Sequence, residues 1–286
     1  MNLSRPLTLG HSPDPDDAFM FWALASGAID TEGFTFEQIL EDIQSLNERA
    51  GREELDITAV SAHAYAYLSD RYILLPCGAS MGDGYGPLLV ARGTMSPERL
   101  RRARIAVPGT LTSAFLALRL YLGDFDYDVV PFDQITQAVL DGRAEAGLLI
   151  HEGQITYQRE GLEAMVDLGA WWKERTGGLP LPLGFNAARK ALGQPALSRL
   201  ARVLLRSIKA GLERRPEALR YAGKWGCGLD TELTDRFVGM YVNELTLDLG
   251  ERGRAALRHF LDEAFERGFI PRKVVPEFVG LEGKGG

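Results

Sequence analysis

Short apolar runs alternate with amphipathic segments in the first part of this chain. An apolar run bounded by polar residues predicts a strand, and apolar residues spaced three and four positions apart predict a helix. Strands are predicted at 7–11, 34–40, 57–60, 72–77 and 87–91, with helices at 19–28, 45–52 and 62–70. Because alternating strands and helices form βαβ units, the pattern predicts an α/β fold with a mostly parallel sheet. We assign these elements to a first lobe.

A second α/β unit follows a change of composition at 93–97. Its predicted elements occupy 104–107, 113–122, 129–132, 135–141, 144–150 and 165–168. Two prolines, Pro180 and Pro182, then stiffen an extended segment, and the pattern is almost wholly helical from residue 196 onward. This helical part has little sheet of its own to pack on, so we expect it to return to the first lobe.

These patterns together predict two lobes with mixed sheets, flanking helices and a cleft between them. The large lobe would comprise 1–93 plus 188–286 and the small lobe 94–187, with chain crossings near 93 and 184. The glycine-rich tail, 280–286, is expected to be frayed.

Composition and charge restrict the class of partner. With 286 residues and 45% hydrophobic content, the chain can bury a sizeable core. A net charge of −7 argues against nucleic acid as a partner, because phosphate binding needs clustered Lys and Arg. Neither a signal peptide nor an apolar membrane span is recognisable, and Cys77 and Cys227 fit no metal or disulfide pattern. We therefore expect a cytoplasmic protein that has no membrane association and acts on a small molecule.

The strongest candidate for chemistry is His151. It stands where the apolar strand at 146–150 ends in a polar segment. In open α/β sheets ligands collect at the carboxyl ends of strands, so an imidazole there faces a crevice and can act as a base. The alternative is a histidine that caps the strand or satisfies a nearby carbonyl. His151-Glu152 has no second histidine four positions on, so no zinc-protease site is predicted.

Three other loops join a strand to a helix, where exposed N–H groups and hydroxyls can hold an anion. Their candidate substrate-binding residues are Ser12, Ser61, and the adjacent pair Thr112 and Ser113. Each could instead cap the helix that follows. For Thr112 and Ser113, two neighbouring hydroxyls favour a carboxylate site, and Gly109 permits close approach.

Five segments share a likeness to one family. They are Ser12-Pro13-Asp14-Pro15-Asp16-Asp17, Val107-Pro108-Gly109 with Thr112-Ser113, Gly147-Leu148-Leu149-Ile150-His151-Glu152, Asp167-Leu168-Gly169-Ala170-Trp171-Trp172 and Leu179-Pro180-Leu181-Pro182-Leu183-Gly184. Together these segments resemble the 1,4-dihydroxy-6-naphthoate synthases of the futalosine pathway to menaquinone, from Leu7 to about Val279. One departure is that the family's first loop often reads Ser-Pro-Cys-Pro-Asn-Asp, whereas Asp14 and Asp16 stand here. This difference argues against an essential thiol or amide in the loop.

The resemblance implies a fold and a reaction. The fold is the two-lobed, type II fold of periplasmic solute-binding proteins. The reaction converts cyclic dehypoxanthinylfutalosine into 1,4-dihydroxy-6-naphthoate and releases a three-carbon sugar fragment, without a metal or organic cofactor. His151 matches the family's proposed base, and Thr112 and Ser113 match hydroxyls that hold an acidic ligand. A neutral imidazole could remove a proton from the sugar-derived part, and gain of aromaticity would drive the carbon–carbon cleavage.

Two alternatives belong to the same fold. The chorismate dehydratases of this pathway typically have Tyr-Leu-Asn where this chain has Pro13-Asp14-Pro15, which favours the synthase. A solute-binding protein that captures a small acid would be expected to carry an export signal or a lipid-attachment cysteine, and we recognise neither. The sequence predicts no oligomeric state.

Overall fold

The computed structural model describes residues 5–225 and 229–280. Within these ranges the strands are β1 Leu7–His11, β2 Phe36–Leu40, β3 Ile57–Ser61, β4 Tyr72–Leu74, β5 Ser80–Gly82, β6 Leu88–Ala91, β7 Ile105–Val107, β8 Tyr127–Val129, β9 Ala146–Leu149, β10 Glu163–Asp167 and β11 Leu181–Arg189. The predictions for Cys227, for the first four residues and for the tail beyond residue 280 fall outside the described residues.

The helices lie between and after these strands. They are α1 Pro15–Ala25, α2 Ile43–Gly51, α3 Ala62–Leu68, α4 Pro97–Leu100, α5 Ser113–Leu122, α6 Ile135–Leu140, α7 Gly153–Thr156, α8 Leu168–Arg175, α9 Gln194–Glu213, α10 Arg215–Ala222, α11 Thr231–Tyr241, α12 Glu244–Leu247 and α13 Gly250–Glu266. Single 3₁₀ turns occur at Phe132–Gln134 and Lys190–Leu192. No helix in the described part of the chain is both long and apolar enough to span a membrane.

The first sheet has the order β2-β1-β3-β11-β4, with β5 paired to β11. Strand β1 runs parallel to β2 and β3, whereas β11 is antiparallel to β3, β4 and β5. The parallel strands β1 and β3 therefore end at the same edge of the sheet, and their carboxyl ends are His11 and Ser61. That edge receives two of the predicted binding loops.

The second sheet has the order β10-β6-β9-β7-β8. Strands β7 and β9 are parallel neighbours, so the loops that follow them, toward α5 and α7, leave from one edge. Strand β6 is antiparallel to β9 and β10. The predicted α/β class with mixed sheets and flanking helices is confirmed.

Two strand assignments differ from the prediction. The strand at 87–91 was assigned to the first lobe, but β6 pairs with β9 and β10 in the second sheet. Strand β11 falls largely within the predicted small lobe, yet it pairs in the first sheet. The reason is that an apolar run such as Leu88–Ala91 specifies a buried strand without specifying its partners. Sheet membership puts the crossings between β5 and β6 and between β10 and β11.

The expected return of the helical C-terminal part to the first lobe is confirmed. Leu197, Leu200 and Val203 on α9 share a buried core with Leu9 of β1 and Phe21 of α1. Their recurrence every three or four positions places them on one face of α9. Helix α1, which begins just after the Ser12 loop, is thus held between a strand and a long helix.

Candidate active site

A cavity lies where the carboxyl ends of β1, β3, β7 and β9 converge. All five residues that we expected to carry function line it, namely Ser12, Ser61, Thr112, Ser113 and His151. Apolar side chains form much of the remaining wall, namely Ile43, Ala59, Ile150, Leu183, Phe185 and Phe237. The cavity therefore combines flat apolar surfaces with a few polar groups, as small-molecule sites do.

His151 occupies the turn between β9 and α7 in a left-handed backbone conformation, with φ of 54°. Non-glycine residues adopt this region rarely, and such strain concentrates at functional sites. The imidazole Nδ1 lies 2.6 Å from Oδ2 of Asp14, and the side chain is only 15% exposed. Its Nε2 is buried and has no hydrogen-bond partner among residues 5–225 and 229–280. One ring nitrogen is thus held by a carboxylate, while the other makes no hydrogen bond to the described part of the chain, and the residue lines the cavity.

The charge of His151 is set by opposing effects. Burial by itself lowers the pKa of the imidazole, but the charge of Asp14 and its hydrogen bond to the ring outweigh burial. The charges of Glu152 and Asp16 add to them, so the pKa of His151 rises to about 9. The ring is accordingly a stronger base than a free imidazole and a largely protonated one at neutral pH.

Sequence reasoning missed the role of Asp14. This residue occupies the N-cap position of α1, yet its side chain makes no capping hydrogen bond and pairs with His151 instead. An Asp followed by a proline before an apolar helix predicts a cap, so the local signal pointed to a structural role.

Asp16 and Asp17 bring two more carboxylates into the same buried region. Oδ2 of Asp17 accepts a hydrogen bond from the backbone N–H of Ser12 at 2.9 Å. Burial, followed by the charges of Asp17 and Asp14, raises the pKa of Asp16 to about 8. Burial and the charge of Asp14 raise the pKa of Asp17 to about 7. Both line the cavity together with Asp14.

The hydroxyls at the start of α5 have different partners. Thr112 caps the helix, because its Oγ1 accepts from Phe115 N–H at 3.1 Å and donates to the carbonyl of Gly109 at 2.9 Å. Ser113 donates its Oγ–H to the carbonyl of Leu183 on β11. The alternative interpretation of Thr112 as a cap thus describes its hydroxyl, although the residue also lines the cavity.

The hydroxyls of Ser61 and Ser12 also differ in their hydrogen-bond partners. Oγ of Ser61 accepts from Nδ2 of Asn47 at 3.0 Å, and the Ser61 N–H donates to Oδ1 of Asn47 at 2.9 Å. The hydroxyl of Ser12 is buried and has no partner in the part of the chain that the structure describes. Since a buried hydroxyl without a partner is costly, the Ser12 Oγ marks a place where a ligand atom is expected.

Gln154 and Tyr241 hold the turn that carries His151. Sequence reasoning identified neither residue. With its amide oriented so that each end faces a suitable partner, Gln154 accepts from the His151 N–H at 3.1 Å and donates to the carbonyl of Gly86 at 2.7 Å. Tyr241 of α11 is hydrogen-bonded to the same amide at 2.6 Å. These contacts hold the turn that presents the imidazole.

The cavity wall is acidic, with no Lys or Arg among its described lining residues. An anionic ligand would therefore rely on the unpaired N–H groups and the dipole at the start of α5. Within 5–225 and 229–280, no three His, Cys, Asp or Glu side chains are grouped to hold a metal ion.

Comparisons with known proteins identify the family of this chain. The family model described as menaquinone biosynthesis matches residues 7–266. A curated protein of Thermus thermophilus, named 1,4-dihydroxy-6-naphtoate synthase, is 42% identical over 96% of this chain and 99% of its own. One of Streptomyces coelicolor with the same name is 41% identical over 93% of this chain and 95% of its own.

Solved structures show the fold. A crystal structure of a protein from Archaeoglobus fulgidus has a TM-score of 0.90 and 47% identity, covering 94% of this chain and all of the other. An alkanesulfonate-binding protein of Xanthomonas axonopodis superimposes with a TM-score of 0.72 at 11% identity, covering 95% of this chain and 96% of its own. At that identity the likeness establishes only the architecture, which is the expected fold of periplasmic binding proteins.

Proposed function

Because the chain belongs to the menaquinone biosynthesis family, we propose that it converts cyclic dehypoxanthinylfutalosine into 1,4-dihydroxy-6-naphthoate with His151 as the base. Two relatives that carry the name of this synthase match nearly the whole chain, and they support an enzyme of this pathway over a transport component. The likeness to alkanesulfonate-binding proteins extends to the fold alone.

The proposed role of His151 as a base rests on how its two ring nitrogens are bonded. Nδ1 is hydrogen-bonded to Asp14 at 2.6 Å, and Nε2 is buried and has no partner among the residues that the structure describes. A carboxylate that accepts from Nδ1–H fixes the tautomer in which Nε2 carries the lone pair, and it stabilises the imidazolium that forms when Nε2 takes a proton. Asp14 is therefore a positioning residue and His151 the group that contacts the substrate.

The substrate would fit as a flat ring system with a polar, sugar-derived part. The apolar wall formed by Ile43, Leu183 and Phe237 suits the rings. The carboxylate of the ligand would contact the first turn of α5, where free N–H groups offer donors and the Ser113 hydroxyl would exchange its bond to the Leu183 carbonyl for one to the ligand. This arrangement leaves the sugar-derived part for His151. The carbon–carbon bond then breaks as the new ring becomes aromatic.

The test is to incubate the purified protein with the cyclic substrate and measure formation of the naphthoate. His151→Asn should lower kcat by about 10² to 10⁴-fold, because asparagine tolerates the left-handed backbone and retains a donor to Asp14 but is no base. His259→Asn is the matched control, since His259 is 49% exposed on α13 and is not part of the cavity wall. Turnover of His151→Asn within about threefold of the parent would refute the assignment.

Cytoplasmic location and the absence of a cofactor are parts of the same proposal. Cell fractionation tests the first. The second predicts full activity of protein freed of metal by chelation.

A further inference from the structure

Three carboxylates and one imidazole share a buried region with few other polar partners. Asp14, Asp16 and Asp17 lie within four positions of one another, and all three are buried. The charged and titratable groups that face Asp16 are Asp14 and Asp17 beside it in sequence, His151 from the end of β9 and Tyr241 from α11. Three buried anions cannot be balanced by one imidazolium, so at least one carboxyl group keeps its proton near neutral pH.

Hydrogen bonds indicate which carboxyl group that is. Asp14 is paired with His151 at 2.6 Å, and Asp17 accepts from the Ser12 N–H at 2.9 Å. The side-chain contact of Asp16 is with the hydroxyl of Ser80 at 3.4 Å, which is long for such a bond. The Asp16 anion is therefore the least stabilised of the three. Burial and the charges of Asp17 and Asp14 raise its pKa to about 8, in agreement with the geometry.

We propose that Asp16 is a second catalytic residue, a neutral carboxylic acid that donates its proton to a substrate oxygen while His151 accepts a proton from the sugar-derived part. The proposal rests on the proposed function and adds an acid that this chain has where the family's first loop often has Asn. Asp16 is 8% exposed and lines the cavity with His151. The Ser12 hydroxyl, 3% exposed and without a partner in the described segments, independently marks a ligand atom beside it.

The step balances in protons and electrons. His151 Nε2 takes the proton of a hydroxyl group on the sugar-derived part, and the electrons of the broken O–H bond form a carbonyl on the departing fragment. The carbon–carbon bond breaks, and its electron pair moves to a carbonyl oxygen of the ring that becomes aromatic. Asp16 loses its proton to this oxygen, which becomes a hydroxyl of the dihydroxy product. Transfer of a proton from imidazolium to the Asp16 carboxylate, through solvent, restores both groups.

A carboxylic acid kept neutral by its surroundings is a known device for stabilising an oxyanion. It acts only while protonated, whereas His151 acts only when neutral. Since Asp16 ionises at about pH 8 and His151 loses its proton only at about pH 9, a small fraction of the protein holds both active forms at once. Activity should therefore rise with pH to a maximum between these two values and fall above it as Asp16 ionises further. Asn at position 16 would keep a neutral donor of the same shape but would not titrate.

The first experiment needs no substrate. The infrared spectrum of the protein at pH 7 should contain a carbonyl band of a protonated carboxylic acid that is lost in Asp16→Asn. Asp124→Asn is the control, because Asp124 is 86% exposed and remote from the cavity. A spectrum in which Asp16→Asn removes no such band would overturn the proposal.

The second experiment is kinetic. Asp16→Ala should lower kcat by about 10² to 10⁴-fold, and Asp16→Asn should retain more activity and lose the alkaline fall in kcat/KM. Equal activity of Asp16→Ala and the parent, a rise in KM alone, or an unchanged alkaline fall in Asp16→Asn would each refute the role of Asp16. A parent protein that shows the band but does not turn over the cyclic substrate would refute the proposed function itself.

Discussion

Asp14→Asn removes the negative charge beside His151 and keeps the shape of the side chain. Asn and Asp are equally good at a helix N-cap, and Asp14 makes no side-chain capping bond that the change would break. The substitution thus isolates one effect, the interaction of a carboxylate with an imidazole 2.6 Å away. We expect the pKa of His151 to fall.

The size of the expected fall in the His151 pKa follows from the opposing effects of burial and of nearby charges. Burial is the largest single influence and lowers the pKa of His151, so the rise from 6.5 to about 9 depends on the charges around it, chiefly that of Asp14. Without that charge, burial should bring the pKa below 6.5. A change of this size corresponds to several kcal/mol of interaction between the imidazolium and the charges around it, chiefly that of Asp14. At pH 7 the ring would change from about 1% neutral to mostly neutral.

Proton nuclear magnetic resonance of the histidine ring signals between pH 5 and 10 measures this directly, with His151→Asn to assign the signal. Stability provides a second readout. A folded pKa above the unfolded value means that the pair stabilises the protein fully below pH 6.5, and that this contribution is lost as pH rises through about 9. The parent should lose stability over that range and Asp14→Asn should not. A His151 pKa that stays near 9 in Asp14→Asn would refute the reasoning.

Four other changes test the site and its support. Thr112→Ala should lower the free energy of unfolding by about 1 kcal/mol through loss of the α5 cap. Ser113→Ala should raise KM and leave kcat nearly unchanged. A fall in kcat at unchanged KM would instead place Ser113 at the reacting centre. Chelation should leave the rate unchanged, and a loss restored by added metal would contradict the mechanism. Gly147→Ala on β9 would put a methyl group 2.6 Å from Ile135 of α6. Chemical denaturation should show a free energy of unfolding lower by about 1–3 kcal/mol. Unchanged stability would show that α6 can move to accommodate the methyl group.

The sequence is informative about the site because each candidate follows a strand. Ser12, Ser61 and His151 could be placed at strand ends from the apolar runs before them, and parallel strands bring such ends to one edge. Local pattern therefore predicts that Ser12 and Ser61 meet at one edge of the first sheet, whereas their meeting with His151 depends on how the second sheet faces the first. The partner of β6 could not be predicted in this way, because Leu88–Ala91 is buried throughout and lacks the alternation that would mark one exposed face.

The pairing of Asp14 with His151 could not be predicted from the sequence, for a different reason. It follows β1 in the first sheet, whereas His151 follows β9 in the second, so their pairing depends on how the two sheets face each other. Nothing in either local segment encodes that relation. The consequence is chemical as well as structural. The base obtains its orientation and its raised pKa from the opposite side of the cavity, so His151 has its full strength only where both sheets contribute to the site.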